Sequence, residues 1–284
     1  MQQSTFRETS QIIALLRLMR VDKPWGTMLL LWPTLWALWL ANDGRPSADM
    51  VAIFVCGAVL MRACGCVIND YCDHDLDAKV HRTQGRPLAT GEISQKQAIC
   101  CALMLALAAC SLLLLLNSQT KILAVIGFML TVIYPTTKRW LSCPQLFLGI
   151  TFAWGIPMAY SASNQILGSE CWGLYALTSC WIVGYDTIYA MQDLPDDQHL
   201  PIHTMPKLLG SWASQCVAIL YSVFCIGLGF FGWTKHMRWP FFCALLMTGI
   251  MLIQQIRSWD TLQANRFTAA FKMNQWLGLV VWLG

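Results

Sequence analysis

The sequence predicts an all-α polytopic membrane protein of about nine transmembrane helices, the last one short, arranged as a single domain over residues 1–284. Of its 284 residues 56% are hydrophobic and only 12% are charged, against about 25% charge in an ordinary soluble domain. Mean hydropathy is +0.50. Nearly uncharged runs of about 20 residues, the length a helix needs to cross a bilayer, recur from end to end. So much apolar surface excludes an ordinary globular domain, a disordered tail and a nucleic-acid binder, and implies membrane lipid as the surrounding medium.

Taken in order, the first 20 residues are polar and Arg-containing and lack the features of a secretory signal. Spans are expected near 24–41, 49–68, 96–116, 120–135, 144–162, 170–190, 212–233 and 240–256. Pro33 and Pro157 lie inside two of them, where neighbouring helices satisfy the freed backbone groups. Trp25, Trp140, Trp212 and Trp239 sit at span ends, as interfacial aromatic residues do. The last apolar piece, Asn274 to Gly284, is about half long enough to cross. The 13 cysteines mostly lie inside apolar runs, as with Cys56, Cys100, Cys101, Cys110, Cys180 and Cys225. They read as buried, reduced and inert thiols.

Charge sets the orientation. With the N-terminus on the cytoplasmic side, 14 of the 19 Lys and Arg residues fall on that side, and Arg45, Lys121, Lys235 and Arg238 on the other. Arg62 falls inside a span. The excess places the N-terminus on the cytoplasmic side, and the membrane is expected to be a bacterial inner membrane.

Eight of the 15 acidic residues stand in two clusters: Asp70, Asp73, Asp75 and Asp77 after the second span, and Asp186, Asp193, Asp196 and Asp197 after the sixth. Both are cytoplasmic by the charge count. At helical spacing Asn69, Asp70, Asp73 and Asp77 share an arc of about 100°, with Asp75 elsewhere, and Asp186, Asp193 and Asp197 fall within about 40°. Converging carboxylates repel unless a cation lies between them, and hard oxygen ligands suit Mg²⁺. Two facing clusters therefore suggest a diphosphate held through more than one Mg²⁺. Lys79, Arg82 and Arg86 follow the first cluster, and guanidinium groups grip phosphate oxygens in pairs. Arg62 lies seven residues before Asn69, two turns deeper on the same face, and an intramembrane Arg by default lines a cavity or meets a partner.

The stretch Met61–Asp73, with Asn69, Asp70, Asp73 and then Asp77, resembles the first signature (NDxxDxxxD) of the UbiA-type intramembrane prenyltransferases. Tyr185–Asp193, with Asp197, resembles their second (DxxYAxxDxxxD). Arg20–Pro24, Leu30–Trp36, Arg82–Leu88 and Tyr134–Arg139 are similar to the 4-hydroxybenzoate polyprenyltransferase branch. The resemblance runs from about residue 11 to the C-terminus. It implies nine helices around a central cavity capped by cytoplasmic Asp-rich loops, and Mg²⁺-dependent transfer of a polyprenyl chain from polyprenyl diphosphate to a small aromatic acid in ubiquinone synthesis. By the same resemblance Asn69, Asp70, Asp73, Asp77, Asp186, Asp193 and Asp197 hold metal and diphosphate, and Asp73, Asp77, Asp193 and Asp197 form the catalytic set. Arg62, Arg82, Arg86, Lys138, Arg139 and His203 are the expected substrate-binding residues. Lys138 and Arg139, with Arg62 as a rival, are candidates for the carboxylate of the aromatic acid.

Three departures accompany the resemblance. His203 stands where the family usually has Lys, with His199 at another usually basic position, and a neutral imidazole holds diphosphate less well. Pro195 between Asp193 and Asp197 opposes a continuous helix and calls for a helix restart. The C-terminus is short. Alternatives are another aromatic acceptor, a scaffold that has lost the chemistry, and a cation transporter. Transport would place the acids near the bilayer midplane rather than at helix ends.

Overall fold

The structure, a computed structural model, describes residues 2–257, 259 and 264–284, with side chains over 10–257, 259 and 265–284. Among the described residues every regular element is helical. In chain order they are α1 (Gln2–Leu18), α2 (Pro24–Leu40), α3 (Ala48–Asp77), α4 (Gln95–Leu113), α5 (Ser118–Thr137), α6 (Pro144–Phe152), α7 (Gly155–Ala162), α8 (Ser169–Ala190), α9 (Leu194–Asp197), α10 (Met205–Leu209), α11 (Ala213–Thr234), α12 (Trp239–Arg257) and α13 (Ala264–Leu283).

Polar residues start these helices where the chain leaves the apolar phase. Ser47 accepts from the Met50 N–H to cap α3, Asn117 caps α5 through the Thr120 N–H, and Ser94 with Gln97 forms a reciprocal capping box on α4. Each satisfies donors that the first helical turn leaves open. Among the described residues five helices are long and apolar enough to cross a membrane: α3, α4, α5, α11 with its short leading turns, and α12. These match five of the expected spans. The expected count of nine rests, beyond them, on α2, the α6–α7 pair, α8 and α13.

One expectation is corrected and another is extended. The run at 144–162 is two helices, broken at Ala153–Trp154. There the Trp154 indole N–H donates to the Leu123 carbonyl at 2.8 Å, and α7 opens on Gly155, pressed against Thr34 of α2, where a side chain has no room. The apolar piece at 274–284 is the end of a longer helix, since α13 has 20 residues, and α13 is not among the five helices apolar enough to cross. Its Asn274 is fully buried and accepts from the Trp181 indole N–H at 2.8 Å while donating to Gln255 at 3.1 Å. A buried amide needs such partners, and tying α13 to α8 and α12 extends it well before the apolar run begins.

α13 packs on α2, α8 and α12, α8 on α11 and α6, and α3 on α4. The core joins Trp36, Trp181 and Phe224, with Trp181 and Phe224 stacked at 5.7 Å, in one cluster. Large apolar side chains such as Leu103, Leu107, Ile122, Ile226 and Leu246 face outward, a surface suited to lipid rather than water. All 13 cysteines are free, and Cys56, Cys100, Cys110 and Cys243 are exposed rather than buried.

Candidate active site

Helix α3 continues through the whole first acidic cluster, as the spacing predicts, and sorts it by face. Asp70, Asp73 and Asp77 are buried at 1%, 3% and 6% exposure, while the Asp75 side chain is 85% exposed. The second cluster is interrupted: α8 ends at Ala190 and a new turn, α9, starts at Leu194 with Pro195 in its first positions. Proline is tolerated there because the first N–H groups of a helix have no partner. The expected restart is therefore present.

Two cavities meet at these clusters. The larger, about 390 Å³, is chiefly apolar and runs between α2, α3, α4, α5, α7 and α8, with Arg20, Lys23, Arg62 and Arg86 at one end. The smaller, about 170 Å³, is polar and carries Asp73, Asp77, Arg82, Lys138, Asp193, Asp197 and His203. Asn69, Arg86, Tyr134, Asp186 and Tyr189 line both. The joint site thus has a charged head and a long apolar body.

The carboxylates do not converge on a common point. Among the described residues no three acidic, His or Cys side chains form a metal-holding group as they stand. Basic neighbours intervene. Arg20 and Arg86 donate to Asp70 at 2.6 and 3.0 Å, and the same Arg86 nitrogen reaches Asp77 at 2.6 Å. Lys138 and Arg139 approach Asp73 at 2.6 and 3.4 Å. Arg82 grips both oxygens of Asp193, at 2.8 and 2.5 Å, donates to the Tyr189 hydroxyl at 2.7 Å and lies 4.8 Å from that ring's centre. Buried like charges relieve their repulsion on whatever cation lies nearest. Burial opposes the Arg82 charge, but Asp193 and Tyr189 more than offset it and its pKa is raised. Burial, with Asp193 beside it, pushes the Asp197 carboxyl up to about 6.

Asn69, Asp186 and Arg62 are the exceptions. All three line a cavity and make no hydrogen bond or ion pair among the described residues. Arg62 leans over the Phe152 ring at 5.5 Å, close against Gly26.

Of the expected ligands, Asp70 is set apart: it faces neither cavity and is enclosed by its two arginines. Arg139 also lies outside both linings, reaching instead the Asp73 carboxylate and the Cys72 and Pro135 carbonyls. His203 lines the polar cavity with an exposed side chain. Sequence reasoning did not single out Arg20, Tyr134 or Tyr189 as site residues. Arg20 occupies the left-handed region at φ 58°, just after α1, which turns its side chain onto Asp70. The only signal for it was its place in the Arg20–Pro24 motif.

The profile of the family described as "UbiA prenyltransferase family" matches residues 30–278. A protein from Shewanella baltica (strain OS155) named 4-hydroxybenzoate octaprenyltransferase is 44% identical over 271 residues, 94% of each chain. Among solved structures, the apo UbiA homolog from Aeropyrum pernix K1 superimposes with a TM-score of 0.79 at 21% identity, covering 89% of this chain and 94% of that one. The UbiA homolog from Archaeoglobus fulgidus bound to GPP and Mg²⁺ gives 0.68 at 14% identity, covering 94% and 99%.

Proposed function

Because the chain belongs to the UbiA prenyltransferase family, we propose that it transfers a polyprenyl chain from polyprenyl diphosphate to the ring of 4-hydroxybenzoate, a membrane step of ubiquinone biosynthesis. The observation that carries this reading is the junction of the two cavities. An amphiphile with a diphosphate head and a long hydrocarbon tail matches a polar chamber of about 170 Å³ that shares five lining residues with an apolar one of about 390 Å³. The chain sits in a bacterial inner membrane with its N-terminus and acidic end in the cytoplasm. The support for the orientation is the distribution of 14 basic residues against four.

The donor set fits Mg²⁺. Asn69 and Asp186 bring oxygen atoms free of hydrogen bonds and ion pairs to both cavities, and Asp73, Asp77, Asp193 and Asp197 ring the polar one. Hard oxygen ligands of this kind, together with phosphate oxygens, are what the ion takes. These six residues would hold it. When bound, the metal neutralises the charge of the diphosphate leaving group.

The chain's own residues supply the rest. Arg82, Arg86 and Lys138 line the polar cavity and turn from carboxylate to diphosphate oxygens once the head group enters. The apolar walls keep water from the allylic cation left on the prenyl carbon, and the rings of Tyr189 and Phe271, 4.4 Å apart beside the junction, offer it their electron-rich faces. Lys138 stands in the polar cavity among the diphosphate-binding groups, and Arg139 lies outside both cavities. Arg62, a cation with no ion pair inside the apolar cavity, is therefore the residue we assign to the carboxylate of the aromatic acid.

The test is to incubate membranes carrying the protein with radiolabelled polyprenyl diphosphate and 4-hydroxybenzoate, with Mg²⁺ or with EDTA. A lipid-soluble prenylated acid formed only with Mg²⁺ is expected. Product with a different phenolic acceptor alone would replace the acceptor, and no product with any would overturn the reading.

A further inference from the structure

We propose that Lys207 is a positioning residue: it pins the strap between α9 and α10 and so sets where Asp197 and Lys138 point into the polar cavity. The inference rests on the prenyl-transfer reading above.

The Lys207 ammonium lies 3.0, 3.1 and 2.7 Å from the carbonyl oxygens of Asp197, Leu200 and Ile202. An ammonium has three N–H donors and no acceptor, so each donor has its own carbonyl and none remains for a phosphate. Lys207 accordingly lies outside the lining of both cavities. It is basic and near the acidic cluster, but it faces backbone, not ligand.

The strap has little regular structure of its own. Its far end is fastened to the rest of the fold: the His203 N–H donates to the Lys138 carbonyl at 2.7 Å, and the Met205 N–H donates to the buried Gln145 amide oxygen at 2.9 Å. Its near end is the last turn of α9, where the Leu200 N–H bonds the Asp197 carbonyl at 3.1 Å. Among the described residues only the Lys207 side chain bonds both ends, since its three acceptors span Asp197 to Ile202. Beyond Ile202, His203 leads to Lys138, whose ammonium holds Asp73 at 2.6 Å. One ammonium therefore links the backbone of the second acidic cluster to the first. Remove it and the Ile202 carbonyl loses its donor, while the Asp197 and Leu200 carbonyls keep only the backbone N–H groups of Leu200 and Ile202; the Ile202 carbonyl then reaches water by the strap swinging away from the cavity and taking Asp197 with it.

The test uses the full chain in membranes and in detergent, comparing wild type with Lys207→Met, which keeps length without charge, and Lys207→Arg, which restores donors. Lys207→Met is expected to raise KM for polyprenyl diphosphate by about tenfold, as loss of an outer support for a binding group does. KM for the aromatic acid stays unchanged, kcat falls by less, and Lys207→Arg recovers most of the loss. Amide hydrogen exchange across residues 197–205 is expected to accelerate in the Met variant and not in the Arg variant. An unchanged KM in Lys207→Met, with or without faster exchange, would overturn the positioning role. An inactive wild-type chain would defeat the prenyl-transfer reading instead. The exchange comparison would then decide the strap by itself, with unchanged protection removing Lys207 as its pin.

Discussion

One added methyl group at Gly26 moves one guanidinium and almost nothing else. A Cβ placed there would lie 2.6 Å from a terminal nitrogen of Arg62, 3.1 Å from its Nε and 3.2 Å from its Cζ. Ordinary contact begins at 3.4 Å, so in Gly26→Ala the Arg62 head retreats by about 0.8 Å. It has no direct ion pair to hold it, only the Phe152 ring at 5.5 Å and the longer-range charge of Asp186, so it gives way before the backbone does. The helix itself gains, because Ala is favoured over Gly by roughly 0.5–1 kcal/mol in a helix. A hydrogen bond of about 2.9 Å lengthened by that much is lost. A bond to a charged group contributes about 1.5–3 kcal/mol, or about ten- to hundredfold in affinity. The assay is steady-state prenylation in membranes, varying 4-hydroxybenzoate at saturating polyprenyl diphosphate and then the reverse. We expect KM for the acid to rise by that factor, with KM for the diphosphate unchanged and the melting temperature at or above wild type. An unchanged KM for the acid, in a variant that reaches the membrane normally, would refute the role given to Arg62.

Asp73→Ala should abolish turnover while leaving membrane insertion intact, because Asp73 borders the polar cavity and is held by Lys138 rather than by the lipid-facing surface; a fully active variant would sink its place in the site. His203→Lys should lower KM for polyprenyl diphosphate by adding a fixed positive charge to the polar cavity, and no change at any pH would mean that this side chain does not touch phosphate. The Asp197 carboxyl, pushed up to about 6 by burial and by Asp193, favours the fold while protonated. Its contribution is full below the ordinary value of about 4 and is lost as pH rises through about 6. Metal-free wild type should therefore lose melting temperature relative to Asp197→Asn between those values, and parallel curves for the two proteins would contradict the assignment.

Much of this was legible from spacing alone. A 100° step carried α3 through Asp77 and put Asp75 outside, and Pro195 marked the restart at α9, because local sterics decide both. What spacing does not carry is the direction of long side chains across the fold. Arg20, 50 residues from Asp70, meets it because a single left-handed residue turns the chain after α1. Asp70 shares the face of Asp73 and Asp77, yet its two arginines keep it from the cavities. Lys138 and Arg139 are neighbours in sequence, and one lines the polar cavity while the other turns to the Cys72 carbonyl. The length of α13 was hidden for a related reason. Hydropathy registers its apolar end, while Asn274 is accommodated by an indole N–H and an amide from two other helices. The outward cysteines were misjudged because an apolar run inside a bilayer has no dry inside and wet outside to distinguish.

The pairing of acids with arginines and lysines has a consequence for how the protein is made. Carboxylates buried beside a hydrocarbon phase would oppose assembly if they arrived bare. Here Asp70, Asp73, Asp77 and Asp193 each arrive with a cation from the same chain. The bundle can therefore close during insertion without waiting for a divalent ion, unlike small metal-nucleated domains that unfold when stripped. Chelation would then act as a reversible off-switch on a finished molecule, and newly inserted copies would stand ready in the membrane until ion and substrate reach them together.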